Sequence, residues 1–76
     1  MKRYFFDLVS EQRAQYDYRG IVYPDAETAR QLAELMALDL GIQADNAWSG
    51  WSVDVYNAHG ERCFSIPVKE PDVVAA

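Results

Sequence analysis

From Arg3 to Val9 (RYFFDLV) an apolar-rich run is broken by Asp7, and read with a period of two it puts Tyr4, Phe6 and Leu8 on one side and Phe5, Asp7 and Val9 on the other. A period of two predicts a strand, and Asp7 marks its second set as the outward one. The polar stretch SEQRAQ reads as a loop. YDYRGIVY, residues 16–23, then reads as a second strand, with Tyr16 and Tyr18 on one side and Asp17 on the other. An isolated strand glycine tends to bend or break it, so Gly20 is the weak point. The two segments form a hairpin.

Beyond Pro24 the period changes to that of a helix. Asp25 is placed as N-cap, its carboxylate accepting from the N–H of Glu27 or Thr28, and Glu27 adds negative charge to the first turn. Ala29, Leu32, Ala33, Met36 and Leu40 recur at helical spacing as the buried stripe, which Leu35 and Leu38 widen. Gly41 suits a left-handed stop with Ile42 packing back on the last turn, so the helix is expected over 26–40.

QADNAWSG reads as a loop holding Trp48. WSVDVY, residues 51–56, resumes strict alternation: Trp51, Val53 and Val55 inward, Ser52, Asp54 and Tyr56 outward. NAHGE is a turn, and RCFSIPV is the last strand, with Phe64, Ile66 and Val68 inward. Pro67 cannot donate to a ladder, which puts it at a strand end or a sheet edge. The whole reads as an α+β domain of order ββαββ: a four-stranded antiparallel sheet with one helix packed on one face. Residues 1–69 form this single domain and residues 70–76 a frayed tail.

At 76 residues the chain makes one domain with a modest core. Small domains often need a further support. One cysteine excludes an internal disulfide, and one cysteine with one histidine falls short of the roughly four ligands of a structural zinc site. Self-association remains, so a homodimer is expected. No run approaches the ~18 apolar residues of a membrane span, and no signal peptide is legible, so the expectation is a cytoplasmic protein. The net charge of −5, with seven basic residues scattered among twelve acidic ones, disfavours nucleic-acid and anionic-membrane partners.

Gly20 lies just ahead of a helix start, which raises the question of a phosphate cradle. Phosphate loops use several glycines and usually a lysine, whereas this segment has one glycine and places Asp25 and Glu27 where the anion would sit. The segment is a structural joint.

Three stretches together, RYFF-D-L at the start, G-I-V-Y-P-D-A-E-T-A-R at the helix entry and W-S-V-D-V-Y-N-A-H-G-E-R with S-I-P at the end, carry a family likeness from Arg3 to about Val68. The chain resembles a family of short alphaproteobacterial domains of unknown function. That family often has His where this chain has Asp7, and Leu where it has Tyr23. The resemblance implies the fold and assigns no activity, cofactor or site residue.

No catalytic, cofactor-binding or metal-binding residue is expected. His59 and Cys63 flank the last turn and could in principle form a thiol–imidazole pair, but a nucleophile also needs an orienting group and an oxyanion site. Asp7 and Asp54 project from the face away from the helix, where their expected role is to keep an open sheet face soluble. The aromatics say more. Ten of the 76 residues are Phe, Tyr or Trp, more than so small a core can hide. Phe5, Val9 and Tyr56 should lie on the outer sheet face, where exposed rings mark a protein-contact surface. The leading expectation is a non-enzymatic interaction module acting as a homodimer, with an unidentified protein partner. The alternatives are a nucleic-acid-associated regulator that stacks bases on those rings and a small enzyme.

Overall fold

The computed structural model describes residues 1–43 and 47–68. Among these residues the fold has two layers: an antiparallel sheet and a single helix across one of its faces. Five strands, β1 (Lys2–Val9), β2 (Ala14–Gln15), β3 (Ile21–Tyr23), β4 (Ser52–Asn57) and β5 (Arg62–Pro67), form the sheet, and α1 (Ala26–Ile42) stands between β3 and β4. The strand order is β2-β1-β4-β5, with β3 also paired to β1, on the edge that β2 occupies. Both long alternating segments are therefore central. The tail at 70–76 and part of the loop before Trp48 lie outside the described residues.

Alternation has its expected consequence on the helix side. Tyr4 and Phe6 of β1 and Val53 and Val55 of β4 are buried against Ala29, Ala33 and Ala37. Leu8, Phe64 and Ile66 pack on that cluster from the sheet, and Leu32, Met36 and Leu40 from the helix. The second arm of the first hairpin is not one strand. Residues 16–20 leave the ladder between β2 and β3, and Gly20 turns the chain back at φ +71°. A Cβ there would sit 2.8 Å from the Tyr4 carbonyl oxygen and 3.0 Å from the Phe5 ring, so only glycine fits.

Asp25 caps the helix, its Oδ1 accepting the Thr28 N–H at 2.8 Å and the Thr28 hydroxyl at 2.7 Å. Both bonds hold its carboxyl below the ordinary Asp range, the backbone one most. At the other end Gly41 is not the stop. It is helical and buried, continuing the four-residue spacing of Ala29, Ala33 and Ala37. The helix instead ends at Gln43, whose extended backbone donates its N–H to the Leu40 carbonyl at 3.3 Å. Small side chains let the helix lie close to the sheet, which decides how wide the buried stripe can be. Leu35 and Leu38 consequently do not widen it; they are 62% and 48% exposed, and Ile42 is 70% exposed instead of packing back.

β5 is an edge strand with Pro67 at its end, opposite Ser52. A bulge interrupts its pairing: Val55 faces Phe64 but Tyr56 faces Arg62, leaving Cys63 as the extra residue. Cys63 and Phe64 both touch the core, and Arg62 is turned to the outer face, where strict alternation would not put it.

Candidate functional site

Away from the helix, side chains fall into rows that cross the sheet. Val9, Ser52 and Pro67 form one row, Asp7, Asp54 and Ser65 the next, and Phe5, Tyr56 and Arg62 the third. Phe5 and Tyr56 thus stand side by side, whereas Val9 lies two rows away, beyond the carboxylates. The expected surface of Phe5, Val9 and Tyr56 is therefore not one contiguous patch.

The middle row corrects a further expectation. Asp7 and Asp54 are not solvated groups on an open face; they are only 9% and 5% exposed. A buried carboxylate is costly unless hydrogen-bonded, and each finds donors. Asp54 Oδ1 accepts the hydroxyls of Ser65 at 2.6 Å and Ser52 at 3.0 Å, and the Arg62 guanidinium lies 3.8 Å from Oδ2. Asp7 Oδ1 accepts the backbone N–H of Asp17 at 2.9 Å. Among the described residues no three His, Cys, Asp or Glu side chains are placed to hold a metal ion.

Asp17 is the residue whose backbone meets Asp7. Where residues 16–20 leave the ladder, Asp17 Oδ2 takes the Phe6 N–H at 3.1 Å, standing in for a strand carbonyl. Its Oδ1 accepts from Gly20 at 3.0 Å and Arg19 at 3.1 Å, which closes the turn. Partial burial raises the Asp17 carboxyl, but the bonds from Gly20, Phe6 and Arg19 outweigh it and leave the group below its ordinary 3.8. This short turn lifts Tyr16 and Tyr18 beside the sheet, their rings 6.3 Å apart and tilted.

The result is a shallow basin of about 440 Å³ lined by Phe5, Tyr16, Tyr18 and Tyr56, with Asp7 and Asp17 among its walls and the β4–β5 turn closing one end. Sequence alternation placed Phe5 and Tyr56 on this outer face. It missed Asp17, whose signal is an aspartate three residues before a glycine, a pattern in which the side chain closes its own turn.

The last turn is also built by a side chain. Asn57 Oδ1 accepts from the N–H groups of His59 at 2.9 Å and Glu61 at 3.0 Å, leaving His59 exposed. Among the described residues no hydrogen bond joins His59 to Cys63, whose thiol lies 3.8 Å from the Glu61 carbonyl oxygen. The two residues do line a common depression with Lys2, Arg3 and Tyr4 at the end of the sheet.

A second exposed apolar feature lies on the opposite side of the molecule. Leu35, Leu38 and Ile42 follow one another at intervals of three and four along α1, the spacing of a helix-pairing seam. This ridge faces away from the Ala29–Ala33–Ala37 stripe.

A family model for a domain of unknown function, DUF6894, matches residues 3–69. The chain belongs to the DUF6894 family. All the basin's lining residues and the whole of α1 lie inside the DUF6894 match. No curated protein and no solved structure matches the chain. No helix among the described residues is long and apolar enough to cross a membrane.

Proposed function

We propose that the chain is a non-enzymatic protein-contact module of the bacterial cytoplasm that works as a homodimer and receives a further protein on its outer sheet face. One observation carries this reading: both outward faces of the two-layer fold keep apolar side chains in water, the leucine ridge on the helix and the ring-lined basin on the sheet. Clustered exposed apolar groups mark contact surfaces in soluble proteins. The ridge suits a second copy, because its spacing is that of paired helices and each helix offers the same surface. The basin suits a different protein, since Tyr is enriched at interfaces and its rings are already positioned. Asp7 and Asp17 beside the rings repel a phosphate backbone, which weighs against base stacking.

Light scattering at tens of micromolar tests the dimer. The parent chain is expected at twice the monomer mass, and Leu35→Glu with Leu38→Glu at the monomer mass with an unchanged circular dichroism spectrum. A monomeric parent removes the homodimer. A pull-down from cytoplasm with parent and Tyr56→Glu protein tests the sheet face, and equal recovery of every bound protein removes that part.

A further inference from the structure

The basin's lining has a charge that its rings alone do not explain. Phe5, Tyr16, Tyr18 and Tyr56 are accompanied by Asp7 and Asp17, and among the described residues no Lys, Arg or His lines the space, Arg62 beyond Tyr56 being turned to Asp54. Asp17 spends its oxygens on three backbone N–H groups and keeps its negative charge. Asp7 uses Oδ1 for the Asp17 N–H, and its Oδ2 accepts no hydrogen bond from the described residues. Aromatic faces carry negative quadrupole density, so rings and carboxylates here attract the same kind of group.

We propose that this basin receives an arginine side chain of a partner polypeptide, its guanidinium stacked on the tyrosine rings and donating to Asp7 Oδ2. The proposal rests on the reading of the outer sheet face as a protein-contact surface and gives that contact its chemistry. Arginine fits better than lysine because a guanidinium is planar, stacks on rings and still presents edge donors to a carboxylate, whereas an ammonium is a strongly hydrated point charge. A polypeptide fits better than a free cation because the basin is shallow and about 440 Å³ in volume, leaving room for the residues that flank the arginine. Tyr18, at 86% exposed, is free to close over the incoming group.

The test uses the intact isotope-labelled chain and three capped peptides that differ only at the central residue: arginine, lysine, or citrulline, which keeps the shape and lacks the charge. The arginine peptide is expected to shift the amide resonances of Phe5, Asp7, Tyr16, Asp17 and Tyr56. The citrulline peptide is expected to bind roughly tenfold more weakly or worse, with lysine between. Tyr18→Leu keeps an apolar side chain at an exposed position and removes the ring, and it should weaken arginine binding while leaving the rest of the spectrum in place. Asp7→Asn should do the same where it folds, and Tyr18→Leu decides the matter where it does not. Equal binding of arginine and citrulline peptides, or shifts confined to other surfaces, overturns the proposal. Light scattering on the same samples separates it from the dimer. A dimer that ignores the arginine peptide keeps the homodimer and removes the arginine site; a strict monomer that binds it does the reverse.

Discussion

Asp17 and Gly20 act as one device, and each is chosen for a different physical reason. Gly20 is held at φ +71° with the Tyr4 carbonyl and the Phe5 ring against the place a Cβ would take. A non-glycine residue in the left-handed region costs roughly 1–2 kcal/mol before any clash. Gly20→Ala should therefore lower stability by about 2 kcal/mol or more, read as a fall in the urea midpoint at constant slope. A loss within about 0.5 kcal/mol, the range of an ordinary surface change, would mean that the turn is not held as described. Asp17 contributes through charge. Its folded carboxyl sits below the ordinary value because three N–H groups bond the ionised form against the opposing effect of burial. A depressed folded value means that the unfolded chain takes up the proton first, so the contribution is complete above the unfolded value of ~3.9 and is lost as pH falls through the folded one. Asp17→Asn should thus be less stable than the parent by a constant amount above about pH 5, with the gap closing below about pH 4. Paired urea curves across that range measure it, and a gap independent of pH would assign the loss to geometry alone.

At the scale of elements, the helix shows how far hydrophobic spacing can be read and where it fails. Periodicity located α1 and its sheet-facing side, because an amphipathic segment has one way to bury its stripe. It did not locate the stripe's width. The backbone of α1 rides close to β4 on Ala29, Ala33 and Ala37, so larger residues beside them are only half-buried and those opposite stay in water. Ala33→Leu should therefore cost about 1–3 kcal/mol through overpacking, whereas Leu38→Ala should change monomer stability by no more than about 0.5 kcal/mol. Thermal or urea unfolding of the two variants at dilute protein gives the comparison, and the reverse ranking would invert the helix. The strands repeat the lesson. The alternation of RYFFDLV and WSVDVY sufficed for both central strands and for the faces of Phe5 and Tyr56. The break at 16–20 and the bulge at Cys63 were not legible in it, since both arise where a side chain or an extra residue replaces a ladder bond. The rings of the candidate site were thus readable, while the burial of its carboxylates depended on a turn that no period records.

For the whole molecule, the balance between core and surface bears on self-association. Among the described residues only Val53 and Val55 are large side chains buried completely, with Tyr4 and Phe6 nearly so, and the helix contributes alanines to the same layer. Burying a methyl-sized side chain yields far less than the roughly 1.5–3 kcal/mol of a leucine, so the isolated protomer rests on a thin apolar layer. Leu35, Leu38 and Ile42 meanwhile remain outside. On the proposed dimer those three residues add to what the core supplies, so that association raises the stability of a protomer that also folds alone. The stability of such a dimer rises with concentration by mass action, about 1.4 kcal/mol per dimer for each tenfold increase. Divided between two chains of this size, that is an upward shift in Tm of a few degrees for each tenfold increase. Calorimetry of the parent over two or more decades of concentration should show that drift, and Leu38→Glu should show a lower Tm with no drift. Glu34 and Asp39 flank the ridge, and Arg30 already bridges Glu27 and Glu34, so juxtaposed helices would bring acidic side chains together. Added salt should then raise the parent's Tm through screening and leave the Leu38→Glu monomer less affected. A parent Tm independent of concentration at every salt level would leave the ridge without a second copy to cover it.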